Sequence, residues 1–261
     1  MSIYTHELRQ GRTAVLLWSA AIAYMLGICI IIYPQMASQM DQISEMFADM
    51  GSFSAAFGMD QINFGEFSGY FGIECGNVLG LGGGLFAALL GINALSKEER
   101  QGTADFLLSH PISRTRVLLE KLLSIGTKLL ILNSIVALVS LGAMLAIGES
   151  LPAKAVTMLF LAYLLMEAEI ACLTFACSAI FRDGGMGIGI SISLGLYFCN
   201  ILSNLTEELK LLKYLSPYGY TDSSYIFKQE SIEEKYLLSG MLLSILAVTG
   251  AILYYRKKDI I

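Results

Sequence analysis

The 261 residues are 55% apolar and only 15% charged, with a mean hydropathy of +0.63, whereas soluble domains sit near 45–50% apolar and about 25% charged. This excludes a soluble globular domain. The net charge of −5 is segregated by segment and forms no basic face for nucleic acid. The composition predicts a single all-α polytopic membrane domain over residues 1–261.

Residues 2–12 are a short polar stretch carrying Arg9 and Arg12, suited to an interfacial helix on the inner side. Residues 15–33 then carry no charge, and about 19 residues at 1.5 Å each cross a hydrocarbon core of roughly 30 Å. Pro34 is expected to end this first span. The apolar run exceeds the h-region of a signal peptide and no clean cleavage site follows, so the span is read as retained. The outer loop 34–69 holds Asp41, Glu45, Asp49, Asp60 and Glu66 and no Lys or Arg. Met36, Met40, Ile43, Met46, Met50 and Phe53 recur at three- and four-residue steps, which predicts an amphipathic helix with an adaptable methionine face. That face either packs on the outer ends of the spans or serves as a lid over an exit path for apolar cargo.

The second span, 70–95, carries Gly72, Gly76, Gly80 and Gly84 at four-residue intervals, with Gly82 and Gly83 added. Such a ridge allows close helix approach, a kink, or a path that changes shape. Residues 96–117 are the most densely charged stretch, and six basic residues from Lys97 to Lys128 place it on the cytoplasmic side. The third span is 118–147, with Lys128 able to snorkel or line a vestibule. A short outer turn with Glu149, Pro152 and Lys154 leads to the fourth span, 155–181, which bears Glu167 and Glu169 near its middle. A centred acid costs about 2.5–3.5 kcal/mol on the insertion scale, so each must face protein or water. Their i, i+2 spacing turns them about 200° apart on a helix, which rules out paired acid–base work at one site. A structural hydrogen bond, a polar lining of the path and proton or ion coupling all remain open for them.

Arg182, Asp183, Gly184 and Gly185 make an inner turn, and the fifth span, 187–202, repeats a small-residue ridge at Gly187, Ser191 and Gly195. The outer loop 203–236 contains an amphipathic stretch at 205–215 and the turn Ser216-Pro217-Tyr218-Gly219, and is expected to form a partly buried helical hairpin. The sixth span, 237–255, ends in the anchors Tyr254 and Tyr255 and the basic run Arg256-Lys257-Lys258. Twelve of the 17 basic residues then fall in inner segments and five in outer ones, which predicts six transmembrane helices with cytoplasmic N- and C-termini.

Catalytic signatures are missing. The five cysteines lack C-x-x-C spacing and have only His6 and His110 as further soft donors, so they read as buried reduced thiols and no metal site is expected. There is no G-x-x-x-x-G-K-[ST], no H-E-x-x-H and no G-x-S-x-G. The chain is expected to be no enzyme, with no catalytic residues and no cofactor of its own.

Glu98-Glu99-Arg100-Gln101-Gly102-Thr103, then Leu107-Leu108-Ser109-His110-Pro111-Ile112-Ser113-Arg114 and Glu120-Lys121-Leu122, resemble the segment between the second and third spans of type-2 ATP-binding-cassette exporter permeases. Tyr33-Pro34, Tyr214-Leu215-Ser216-Pro217-Tyr218 and Tyr255-Arg256-Lys257-Lys258-Asp259 echo the same family, so the resemblance covers the whole chain. It implies a half-transporter in a bacterial plasma membrane, paired with a second permease copy or a sibling. A separate ATPase, in two copies, would hold ATP and Mg. It implies a coupling helix in the 96–117 loop, with Glu98, Glu99, Arg100, Gly102, Thr103, Leu107, Leu108, Pro111 and Arg114 as docking candidates. The second and fifth spans would line the path or the dimer interface, which makes Gly76, Gly80, Gly84, Gly187, Ser191 and Gly195 candidates there. The expected function is ATP-driven export of an amphipathic or apolar cargo, such as an antimicrobial or toxin peptide or a drug, with a resistance role. The alternative is an ion-coupled secondary transporter using Glu167 or Glu169.

Overall fold

The computed structural model describes residues 2–49, 66–100, 113–181 and 185–257, with the backbone alone at 38–49, 98–100 and 207. Among them every regular element is helical, and six helices are long and apolar enough to cross a membrane. Helix α1 spans Ile3–Asp49. α2 (Phe67–Glu74), a π-helical segment (Cys75–Gly80) and α3 (Leu81–Arg100) form one continuous second rod. α4 is Arg114–Ile147, α5 Ala153–Ile180 and α6 Met186–Leu205. Two 3-10 segments, Glu207–Tyr214 and Pro217–Tyr220, and the short α7 (Ser223–Gln229) precede α8, Glu234–Lys257.

The first span does not end at Pro34. α1 runs through the proline to Asp49, about 70 Å of helix axis at 1.5 Å per residue. Proline removes one backbone donor, the one that would reach Ile30 O, and crowds the preceding turn, yet side chains from the second rod pack on the helix around it. The Tyr70 hydroxyl donates to Cys29 O at 2.9 Å in the turn below Pro34, while the Tyr33 ring packs on Phe67 and Tyr70 at 4.8 and 5.1 Å. Met36 is on this continuation, whereas the side chains of Met40, Ile43 and Met46 and all of Met50 and Phe53 lie outside the described residues. The inner turn at Arg182, Asp183 and Gly184 lies outside them as well.

α4 begins earlier than its apolar run because Ser113 caps it, accepting from Arg116 N at 3.3 Å, and it ends at Gly148 in the left-handed region (φ 76°). Only glycine enters that conformation without steric cost. The loop before α8 is three short pieces in place of a helical hairpin. Its Pro217–Tyr220 turn is buried, with Ser216 Oγ donating to Leu196 O at 2.7 Å and Asp222 capping α7 through the amides of Ser224 and Tyr225.

α1 packs along α4 as a parallel neighbour, as the successive pairs Glu7–Lys121, Gly11–Lys128 and Gly27–Val139 show. α3 packs most closely on α5, and α5 also meets α8, so α3 and α5 form the centre of the bundle. The outer faces carry Leu17, Tyr24, Leu123, Leu138, Leu145, Leu238 and Ile245, each more than half exposed, as suits helices facing lipid tails. The start of α1, the end of α3, the start of α4 and the end of α8 meet at one end of the bundle, joined by Glu7 to Lys97 and Lys121 and by Arg114 Nη1 donating to Tyr255 O at 3.1 Å.

Candidate functional site

At that basic end, the second turn of α1 turns Glu7 inward, where it is 8% exposed. Lys121 Nζ of α4 donates to its Oε1 at 2.8 Å, Lys97 Nζ of α3 approaches at 3.4 Å, and Lys128 Nζ lies 3.9 Å from Oε2. Lys121 and Lys128 are almost fully buried. Lys128 therefore turns toward a carboxylate. Its stem passes α1 at Gly11, where a Cβ would sit 2.7 Å from Lys128 Cε. Sequence reasoning missed Glu7, although one signal was there: it is the single acid among residues 1–12 and stands one helical turn before Gly11.

Of the docking candidates, Arg114 is tied to the end of α8 through Tyr255 O. Glu98, Glu99 and Arg100 form the last turn of α3, with their side chains outside the described residues. Gly102, Thr103, Leu107, Leu108 and Pro111 lie outside the described residues altogether.

The glycine ridge of the second rod meets the chain's own side chains. Gly76 lies 3.5 Å from Tyr163 Oη and Gly80 lies 3.2 Å from Tyr163 Cε1, both counted from a Cβ placed on the glycine. A Cβ at Gly84 would overlap the Tyr218 hydroxyl and touch Ser193 Oγ at 3.3 Å, and one at Gly91 would overlap Thr174 Oγ1 and Ala171 O. At Cys75–Gly80, just before the ridge becomes densest, the rod widens to π-helical spacing, and the Tyr218 hydroxyl donates weakly to Gly80 O at 3.5 Å. Such widened turns free backbone carbonyls for side-chain donors.

α6 presents two ridges. Gly189 and Ser193 face inward, with a Cβ at Gly189 only 2.9 Å from Ile92 Cγ2. Gly187, Ser191 and Gly195 face outward: they are exposed, and added Cβ atoms at Gly187 and Gly195 meet nothing within 4 Å. A shallow surface depression is lined there by Gly185, Gly187, Ile188, Ser191 and Ile192.

Glu167 and Glu169 leave α5 on opposite sides. Glu167 is fully buried, and its Oε2 accepts from Asn133 Nδ2 of α4 at 2.6 Å. Asn133 is held in turn by donation to Leu129 O at 3.1 Å. Glu167 Oε1 lies against bare backbone where a Cβ at Gly83 would stand. Glu169 presses instead on Gly240 of α8, beside the Tyr220 hydroxyl. Burial of an acid in an apolar bundle requires a bonded or sheltered place, and each glycine makes room for one carboxylate. The two acids share no reacting centre. All five cysteines are free, and among the described residues no three His, Cys, Asp or Glu side chains gather to hold a metal.

No curated protein sequence matches the chain. The family model described as ABC-2 family transporter protein does, over residues 1–260. With a match of that extent and, among the described residues, six helices long and apolar enough to cross a membrane, the chain belongs to the ABC-2 transporter family and is a multi-pass membrane protein.

Proposed function

We propose that the chain is the permease subunit of an ATP-driven exporter, powered by a separate ATPase in two copies that binds ATP and Mg at its own sites. The observation that carries this reading, beyond the family itself, is the convergence of four helix ends at one basic end while the sequence holds no phosphate-binding loop. That end is the cytoplasmic one by its Lys and Arg content. Residues 96–117 dock the ATPase through Glu98, Glu99, Arg100, Gly102, Thr103, Leu107, Leu108, Pro111 and Arg114. A short helix held between two spans converts closure of the ATPase into displacement of α3 and α4. The outward ridge Gly187, Ser191 and Gly195 supports a second permease copy, since small residues let helix backbones approach. The cargo is an amphipathic or apolar molecule, a peptide or a drug, in keeping with the methionine-bearing extension of α1 beyond Pro34.

Affinity purification of the tagged chain from its native membrane in mild detergent, with mass spectrometry and an ATPase assay, tests the reading. A nucleotide-binding subunit is expected to accompany the chain and to be lost when Arg100 and Leu107 are replaced together. A chain that purifies alone and moves substrate in vesicles without ATP would overturn it and favour ion coupling through α5.

A further inference from the structure

Glu7 is bound to more than one helix. Lys97 and Lys121 stand on the two helices that enter and leave residues 101–112, and both reach the same carboxylate, at 3.4 and 2.8 Å. One buried acid thus joins the first span to both arms of that connection. Neighbouring contacts strengthen the tie. Lys97 Nζ donates to Gln10 Oε1 at 2.7 Å, Tyr4 N donates to Glu120 Oε2 at 3.1 Å, and the Tyr4 hydroxyl lies 3.1 Å from Thr127 Oγ1. The Lys128 stem passes close to α1 at Gly11.

The packing shows why the acid matters most toward α3. α1 lies along α4 over much of its length but meets α3 over a far smaller area. Among the described residues, Lys97 with Glu7 and Gln10 makes a polar tie between α1 and the end of α3. Three ammonium groups gathered around one carboxylate repel each other once it is removed, which loosens the hold of the cluster on the end of α3. The end of α3 would then part from α1.

We propose that Glu7 is a positioning residue that makes the first span follow α3 and α4 when the 96–117 connection is driven. When the ends of α3 and α4 shift, Lys97 and Lys121 carry the carboxylate with them, and the rigid first turns of α1 transmit that shift along the span. This inference rests on the proposed docking of an ATPase at the basic end.

The test uses the full complex purified from its native membrane into nanodiscs, with genetically encoded spin labels at Arg9 of α1 and Asn93 of α3 of one chain. Distances are compared without nucleotide and with ATP plus vanadate, alongside ATP hydrolysis. In the unsubstituted complex the Arg9–Asn93 distance is expected to stay fixed while hydrolysis proceeds. Glu7→Gln should keep the ATPase subunit and its hydrolysis, yet make that distance change with nucleotide, and Glu7→Asp should restore the fixed distance. A residue that only stabilised the fold would lower yield and melting temperature without making the distance respond to nucleotide. If E7Q holds the same fixed distance as the parent, the inference is overturned. Should E7Q fail to fold, Lys97→Gln keeps the Lys121–Glu7 pair, and labels at Arg9 and Asn93 must then separate with nucleotide or the inference fails. Failure of the wider reading looks different: the unsubstituted complex would contain no ATPase subunit, and the inference would fall with it.

Discussion

Replacing Gly83 by alanine places a methyl group where the Glu167 carboxylate now lies. Because α3 and α5 form the buried centre of the bundle, neither helix can retreat without disturbing its other neighbours. Overpacking of this kind costs about 1–3 kcal/mol. If Glu167 moves aside it also gives up the 2.6 Å bond from Asn133, which adds about 1–3 kcal/mol for a buried group left unsatisfied. Glu167→Ala alone removes the same bond but opens the space that the new methyl group needs. The double variant should therefore be more stable than the sum of the two single effects implies, with a coupling of about 0.5–3 kcal/mol. Folded fraction can be followed in mixed micelles under increasing dodecyl sulfate through Trp18, the single tryptophan, whose ring stacks on Phe86 of α3 at 5.5 Å. Additive single effects, or a Gly83→Ala variant as stable as its parent, would refute the placement of this carboxylate.

Other substitutions probe separate contacts. Gly240→Ala should destabilise by about 1–3 kcal/mol in the same titration, because its methyl group overlaps the Glu169 carboxylate. Gly250→Ala, with nothing within 4 Å of its Cβ, should stay within about 0.5 kcal/mol of the parent. Tyr70→Phe deletes the donor to Cys29 O below Pro34 and should cost about 0.5–1.5 kcal/mol. Gly195→Leu should leave the stability of the single chain unchanged and yet reduce self-association in liposomes, measured by single-molecule photobleaching. Unchanged association would remove the outward ridge of α6 from the dimer reading.

Hydropathy located the six helices that, among the described residues, are long and apolar enough to cross a membrane, because an uncharged run of that length has few other readings. Helix ends were less legible. Pro34 signals a stop by its own chemistry, but the bond from Tyr70 and the rings packed on Tyr33 come from residues far along the chain. Glycine spacing at Gly76, Gly80 and Gly84 announced a close approach without naming the neighbour, which is Tyr163 and Tyr218 of the same chain. The π-helical turn left no mark, since a run so rich in glycine has no side-chain period to shift. Separation of Glu167 from Glu169 followed from helix geometry, whereas their partners Asn133, Gly83 and Gly240 lie on other helices. Glu7 escaped notice because an acid in a basic interfacial stretch reads as solvated until Lys97 and Lys121 are brought around it.

The central claim is that an ATPase works on this chain from its basic end, and photo-crosslinking in native membranes tests it most directly. A photoreactive residue at Arg116, 68% exposed at the start of α4, is compared with one at Lys154, 64% exposed at the opposite end. The account predicts an adduct between the Arg116 probe and a nucleotide-binding protein, altered by ATP, with none from Lys154. Adducts with such a protein from Lys154 alone, or from neither position, would contradict it.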